Sequence, residues 1–427
     1  MNLSEKPMTA SRAASVQKVR APKSGVEAWL VEDYAVPLIA FNAAFQGGGA
    51  QDAVERVGAT ASMALLLDEG AGSLDADAFH RALDEKAVEI SFSSDRDHVQ
   101  CRARTLARNL DAAADFLRLA LCEPRFDPDA IERARAQTLA TLKQESQDPA
   151  SLSGKAWREA AFPNHPYGMA GRGTLDTVPL ISRDDIVAQY MAQIARDGLK
   201  ISIVGAISAQ SAVEVLDHIF AGLPTRGALK AVPNVEMANA GERRVIDVDV
   251  PQSTIRFSLP GVDRGDPDYW PAVVVNHILG GGVFSARLFR EVREKRGLAY
   301  SVGSQLQVFD HAAVLSGSTS TKNERAAESL MVIEEQIAEL AENGPTEDEL
   351  IKARKYLTGS YALQFDTSTK IASNLTTLQC AGYPVDYLDK RNDYISAVTL
   401  EDARRVAVRL FRGKKLLVAA AGRPVGL

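Results

Sequence analysis

The chain has 427 residues, 46% hydrophobic and 24% charged, a length and composition that suit two folded domains of about 200 residues. Its formal net charge is −6, from 49 basic and 55 acidic residues, which argues against a nucleic-acid-binding surface. No apolar run approaches the ~20 residues of a membrane-spanning helix, so we expect no membrane span.

The first 24 residues are polar and basic and lack a hydrophobic core. They predict a flexible N-terminal segment, 1–24, with no signal peptide. Strands are predicted at 26–31 and 37–45, where apolar residues dominate. The run Gln46 to Gly49 then interrupts the chain, and a helix is predicted to start near Gln51.

Residues 90–93 and 99–102 alternate apolar and polar side chains on either side of a short polar turn, which predicts an antiparallel hairpin. Helical spacing follows at 109–121 and 129–146. Hairpin strands followed by runs of helices indicate an α+β fold, with helices packed on one face of a mostly antiparallel sheet.

The second half of the chain repeats the first at a nearly constant offset. Asp185 and Asp402 each precede a helical stretch, and the strands that follow end at Gly205 and Gly422. Both pairs are separated by 217 residues, since 402 − 185 and 422 − 205 give the same number. A second echo pairs residues 131–135 with 350–354, where Arg135 and Arg354 are 219 residues apart. Two matches in the same order at almost the same offset favour duplication, and therefore two homologous domains.

A stretch rich in Pro, Gly and Asn separates these halves and lacks periodicity, as a linker does. The predicted organisation has four parts: the flexible segment 1–24, an N-terminal domain 25–223, a linker 224–243 and a C-terminal domain 244–427.

Metal-binding spacing is missing from the sequence. The closest two of the six histidines are His80 and His98, too far apart in sequence for neighbouring ligands on one helix, and the three cysteines show no C-x-x-C spacing. We therefore expect no metal to be bound by this chain.

The segment 293–302, REKRGLAYSV, is the most specific motif. Arg293 and Tyr300 stand seven residues apart with Gly297 between them, and the run Gly280-Gly281-Gly282 precedes them. Taken alone, these residues also suit a structural role. Arg293 would then pair with Glu291 or Glu294, Tyr300 would be a half-buried strand residue with its hydroxyl satisfied, and the glycines would end a helix.

With the duplicated architecture, this pattern resembles the arginine/tyrosine signature of pitrilysin-type (insulinase-like) zinc peptidases, which include the mitochondrial processing peptidases and two-subunit bacterial relatives. The resemblance covers nearly the whole chain. In that family the pair grips the substrate opposite a zinc ion held by an H-x-x-E-H helix in the N-terminal half. It implies substrate-binding roles for Arg293, Tyr300, Gly280, Gly281 and Gly282.

The zinc helix of the family corresponds here to 58–70, GATASMALLLDEG. The resemblance places the first histidine at Ala61, the general-base glutamate at Ala64 and the second histidine at Leu65. The acidic pair that includes the third ligand falls on Ala140 and Thr141. Methyl and isobutyl groups neither bind zinc nor transfer protons, so we expect no catalytic residue in this chain alone.

The resemblance implies a zinc-less subunit of a heterodimeric peptidase, inactive alone, whose H-x-x-E-H-containing partner holds the zinc and cleaves peptide substrates. The alternative is a catalytically inactive structural or peptide-binding homodimer. Bacterial two-subunit relatives favour a periplasmic location, and a cytoplasmic one is the alternative because the sequence shows no signal peptide.

Overall fold

The computed structural model describes residues 16–282 and 284–427, which form two α+β halves built on one sheet each. Most of the predicted flexible segment 1–24 lies outside the described residues. Its end, however, includes an ordered edge strand at 17–20. In the described part of the chain, no helix has the length and apolar character needed to cross a membrane.

The first sheet has six strands, and both predicted N-terminal strands and the predicted hairpin belong to it. Counted across the sheet, the second and third strands are parallel to each other, and every other pair of neighbouring strands is antiparallel. In that order the strands are β1 (Gln17–Arg20), β2 (Glu27–Glu32), β6 (Lys200–Gly205), β3 (Leu38–Gln46), β5 (His98–Leu106) and β4 (Val88–Ser94).

The second sheet has five strands, of which only the first two in spatial order are parallel. They are β7 (Arg243–Asp247), β11 (Leu417–Gly422), β8 (Gln252–Pro260), β10 (Ala313–Lys322) and β9 (Ala299–Val308). Apart from β1, the two sheets have the same strand order and the same strand directions. The predicted α+β fold with two homologous, mostly antiparallel domains is confirmed.

Thirteen α-helices surround the sheets in the described residues. Seven belong to the first half: α1 (Ala59–Leu66), α2 (Ala76–Glu85), α3 (Leu110–Cys122), α4 (Pro128–Glu145), α5 (Pro149–Ala161), α6 (Arg183–Gln193) and α7 (Ala209–Phe220). Six belong to the second half: α8 (Tyr269–Asn276), α9 (Ala326–Asn343), α10 (Glu347–Gly359), α11 (Ser368–Cys380), α12 (Tyr387–Ser396) and α13 (Leu400–Phe411).

The sequence repeat reflects matching helix starts. Ser182 and Asp185 form a capping box that begins α6, and Thr399 and Asp402 form the same box at α13. In each box the hydroxyl accepts from a backbone N–H while the carboxylate accepts from the capping residue, which satisfies donors that a helix start leaves free. The repeated residues therefore fix equivalent helices before equivalent strands.

The helix predicted near Gln51 starts later than expected, at Ala59. Short 3-10 turns occupy the intervening residues, and the buried carboxylate of Asp52 accepts hydrogen bonds from Gly58 N at 2.7 Å and Thr60 N at 3.0 Å. Asp52 therefore caps α1 from seven residues before its first residue. Sequence rules look for a cap next to the helix, so they miss this arrangement.

Each sheet also receives one helix from the other half of the chain. Helix α5 of the first half packs on β8 and β11, where Trp157 Nε1 donates to Ser258 Oγ at 2.7 Å. Helix α11 of the second half packs on β3 and β6, where Thr376 Oγ1 donates to Ser202 Oγ at 3.0 Å and Gln379 Nε2 donates to Ile201 O at 2.8 Å. Helices thus cover both faces, beyond the single face that the sequence predicted.

Both faces of the central strands are therefore apolar. In β2, Ala28 and Leu30 belong to the core of the first half, whereas Trp29 and Val31 pack with Ile371 of α11. Residues 224–242, between the halves, contain no helix or strand. The predicted domain limits 25–223, 224–243 and 244–427 stay predictions.

Candidate functional site

Arg293 and Tyr300 are brought together by a tight turn before the edge strand β9. Arg293 lies in a π-helical segment, Phe289–Glu294, and Tyr300 is the second residue of β9. Gly297 between them has a φ of 58°, a left-handed conformation that favours glycine. Its N–H donates to Arg293 O at 3.0 Å, which closes the turn and folds the strand back toward the helix.

The Arg293 guanidinium packs against two aromatic rings. Its Cζ atom lies 4.8 Å from the ring centroid of Phe289 and 5.0 Å from that of Tyr300. Such cation–π contacts contribute roughly 0.5–1 kcal/mol each at an exposed site. They hold the guanidinium while leaving the N–H groups at its edge available to bind an acceptor.

Neither structural alternative for this pair is found. Glu291 binds Lys295 Nζ at 2.6 Å and Arg296 Nη1 at 2.7 Å. The Arg293 guanidinium makes no hydrogen bond or ion pair with any residue of 16–282 or 284–427. Tyr300 is 83% exposed rather than half-buried. The substrate-binding role of both residues stays a prediction. In the described part of the chain, the Arg293 guanidinium has no acidic partner and the Tyr300 hydroxyl has no hydrogen-bond partner.

The glycine run forms a second π-helical turn, His277–Gly281, packed against β9. A Cβ on Gly280 would lie 2.5 Å from Ser304 Oγ, and one on Gly282 would lie 2.9 Å from His277 Nε2. Close packing therefore explains why glycine occupies these positions. Gly280 and Gly281 also line an open cavity of about 750 Å³, which neither Arg293 nor Tyr300 lines. Their substrate-binding role stays a prediction.

The positions that correspond to the zinc site lie on α1 and α4. Ala61 and Leu65, four residues apart on α1, line an open cavity of about 630 Å³, whereas Ala64 is buried in the core. On α4, Ala140 and Thr141 do not line this cavity. Leu142 and Glu145 do, and the correspondence of Ala140 and Thr141 to the acidic pair stays a prediction.

These side chains do not fit a zinc ion. Zinc needs imidazole, thiolate or carboxylate donors at about 2 Å, and Ala61, Ala64 and Leu65 supply none. Among the described residues, no group of three or more His, Cys, Asp and Glu side chains is placed to hold a metal. The arrangement is compatible with a chain that binds no zinc.

A polar cluster joins the two halves beside the 630 Å³ cavity. Tyr167 OH donates to Asp97 Oδ1 at 2.5 Å and accepts from His311 N at 3.0 Å, across the boundary between the halves. His98 lies 3.7 Å from Asp310 of the second half. Burial opposes its charge, but hydrogen bonds with Asp95 and Cys380 raise the pKa of His98 to about 11. Sequence reasoning missed this cluster because its contacts between the halves join residues more than 140 positions apart in the chain.

Residues 180–357 match the family model described as the peptidase M16 inactive domain. The non-peptidase homolog YmxG of Helicobacter pylori is 26% identical over 372 residues, which cover 87% of this chain and 86% of that protein. The beta subunit of the mitochondrial-processing peptidase of Lentinula edodes is 21% identical and covers 84% of this chain and 80% of its own.

The solved structures agree with the sequence matches. The crystal structure of a peptidase M16 inactive domain from Pseudomonas fluorescens superposes with a TM-score of 0.89 at 25% identity. That comparison covers 96% of this chain and 98% of the other.

Proposed function

We propose that this chain, which belongs to the pitrilysin-type (M16) peptidase family and matches its inactive domain, is the zinc-less subunit of a heterodimeric peptidase. In this proposal a homologous partner with an intact H-x-x-E-H motif holds the zinc. The two subunits would enclose a peptide-binding chamber between them, and the present chain would supply Arg293 and Tyr300 to it.

The observation that carries the proposal is that Arg293 and Tyr300 lie side by side with their polar groups free to bind a ligand. The two rings beside the Arg293 guanidinium orient it, no described acid neutralises it, and Tyr300 stands exposed next to it. An exposed aromatic ring and an unpaired guanidinium contribute little to the folding of their own chain. Their chemistry suits a ligand that approaches from outside, as a substrate held between two subunits does.

The chemistry follows from the groups on each side. When bound in the partner, zinc would activate water for attack on the peptide carbonyl. In this chain the Arg293 edge would donate hydrogen bonds to a substrate carbonyl or carboxylate. The Tyr300 hydroxyl would donate to the oxyanion that develops during the attack. An extended peptide would be held by main-chain hydrogen bonds to a sheet edge.

The test is peptidase activity on a quenched fluorescent peptide with zinc present. It compares this protein alone, an H-x-x-E-H relative from the same genome alone, and the two mixed. The proposal expects activity only, or far more strongly, in the mixture, with loss on chelation of zinc. Activity of this protein alone that survives repurification would refute it.

The same experiment tests the inactive homodimer. No activity in any sample, together with a self-associated species and no mixed complex on a sizing column, would favour that alternative. A periplasmic location also stays a proposal, which cell fractionation tests.

A further inference from the structure

Another open cavity, also of about 630 Å³, lies between α9 and the turn that joins α13 to β11. Arg243 of β7 lines it too, and β7 is the edge strand of the second sheet opposite β9. Arg293, Tyr300 and the glycine run at 280–282 do not line it. This α9 cavity is therefore separate from the residues of the proposed function.

The floor of the α9 cavity is apolar and belongs to the core of the second half. Four lining side chains are no more than 7% exposed: Ile337, Ala341, Phe411 and Leu416. These groups exclude water from one side of the cavity. Charges at its rim are therefore screened less than charges on an open surface.

The rim carries three cations on a single turn. They are Arg412, Lys414 and Lys415. Gly413 between them has a φ of 68°, a left-handed conformation that favours glycine, and Lys414 N donates to Phe411 O at 3.1 Å, which closes the turn after α13. The stem of Lys415 packs over Gly241, where an added Cβ would lie 3.2 Å from Lys415 Cδ. The fold thus keeps the residues that carry these charges at one side of the cavity.

The charges of the lining do not cancel. No described residue forms a hydrogen bond or an ion pair with the side-chain nitrogens of the three cations. The fourth cation of the lining, Arg243, binds Glu334 Oε1 at 3.0 Å, and the second acid, Glu342, makes no ion pair with a described residue. Four cations and two acids leave a net charge of 4 − 2 = +2, in a chain whose net charge is −6.

An exposed lysine or arginine is usually solvated and needs no partner. Three such groups on one turn are a different case, because they repel one another and all border the same concave surface. A cleft lined mainly by charge of one sign beside an apolar wall focuses the electric field and raises the local concentration of counter-ions. The α9 cavity therefore favours an anion, and it favours a dianion over a single carboxylate.

We propose that the α9 cavity binds the phosphate monoester group of an organic molecule. Such a group carries a charge of about −1.5 to −2 at neutral pH, which matches the net charge of the lining. The planar guanidinium of Arg412 can donate two parallel hydrogen bonds to phosphate oxygens, and the ammonium groups of Lys414 and Lys415 supply compact charges. The apolar floor would contact the organic part, and the volume falls within the ~300–1,000 Å³ of small-molecule sites.

Phenyl phosphate is the probe, since it carries the dianion on an apolar ring, and its binding is measured by isothermal titration calorimetry at about pH 7.5. Benzoate, with the same ring and one negative charge, is the reference ligand. Phenyl phosphate should bind at least about 10-fold more tightly than benzoate. Equal affinity for the two ligands, or no binding of phenyl phosphate up to about 10 mM, would overturn the proposal.

A soluble ester and a lipid headgroup could both present this group, and sedimentation with vesicles distinguishes the two sources. One set of vesicles contains phosphatidylcholine with phosphatidic acid, and the other contains phosphatidylcholine alone. Co-sedimentation with the first set only would support the proposal and assign the group to a lipid. Binding of phenyl phosphate without co-sedimentation would support it and assign the group to a soluble ester.

A double variant, Lys414→Gln with Lys415→Gln, removes two of the cations and should weaken the binding of phenyl phosphate about 10-fold. The matched control is Lys86→Gln with Lys143→Gln, which removes the same charge at two exposed lysines outside the cavity and should change the affinity by less than about 2-fold. Native affinity in the folded double variant would contradict the proposal.

Glu342→Gln provides a test of the opposite sign. It removes the unpaired acid of the lining, so it should tighten the binding of phenyl phosphate about 2- to 5-fold. Glu335→Gln, at an exposed acid of α9 outside the cavity, should leave the affinity unchanged. A purely structural role of Glu342 would not tighten binding, so equal or weaker affinity in Glu342→Gln would also overturn the proposal. This site lies within one chain and does not depend on the proposed heterodimer.

Discussion

Tyr300→Phe is the most direct test of the residue pair, because the structure separates its effect on catalysis from its effect on folding. The variant removes only the phenolic hydroxyl. The ring that packs on the Arg293 guanidinium stays, so the orientation of Arg293 should persist.

The expected effects follow from the surroundings of the hydroxyl. Tyr300 is 83% exposed and no described residue hydrogen-bonds its hydroxyl, so the free energy of unfolding should change by less than about 0.5 kcal/mol. In the mixed peptidase, loss of an oxyanion donor removes about 3 kcal/mol of transition-state stabilisation. This corresponds to a fall in kcat of about 10²-fold.

The assay measures kcat and KM on the quenched peptide for the mixture that contains each variant, together with urea unfolding of the variant alone. Tyr34→Phe is the matched control, since Tyr34 is also exposed and its hydroxyl donates to Glu32 Oε2 at 2.8 Å. Unchanged kcat in a mixture that still assembles would refute the catalytic role of Tyr300. A large loss of stability in Tyr300→Phe would contradict the finding that no described residue hydrogen-bonds the Tyr300 hydroxyl.

Three further predictions concern stability. Gly280→Ala should destabilise the protein by about 2 kcal/mol in thermal unfolding, because the added Cβ would lie 2.6 Å from the backbone nitrogen of Ser304. Gly359→Ala, at the end of α10, is the control: its Cβ would have no neighbour within 4 Å, so it should be neutral or slightly stabilising. Trp157→Phe should lower the unfolding free energy in urea by about 2 kcal/mol, from the lost bond to Ser258 and the space left by the smaller ring, and a loss under about 0.5 kcal/mol would contradict the packing of α5. The pKa of His98, raised from 6.5 to about 11, means that its contribution to stability is complete below pH 6.5 and is lost as the pH rises toward 11. Urea unfolding at about pH 7 and about pH 9 should therefore show a smaller decrease for His98→Gln than for the native protein.

The fold could be predicted from the sequence because the patterns that indicate it are local. The alternation of 90–93 and 99–102 corresponds to β4 and β5, and the repeat at Asp185 and Asp402 corresponds to two capping boxes. Each is a property of a few consecutive residues. The two-domain α+β fold followed from their order along the chain.

The features that the sequence did not reveal depend on distant contacts. Asp52 caps α1 through space, and α11 covers a sheet whose strands are more than 160 residues earlier in the chain. The alignment to a zinc-binding pattern also could not show that Leu142 and Glu145 of α4 line the same cavity as Ala61 and Leu65.

The exchange of α5 and α11 between the halves has a consequence for how such a chain arose and how it can be divided. Each half packs one of its helices on the sheet of the other half, as two identical copies do in a domain-swapped dimer. A duplicated gene for such a dimer would encode this arrangement once its two products were fused. The segment 224–242 then serves as a tether, and a break there would leave two pieces that hold each other through their swapped helices.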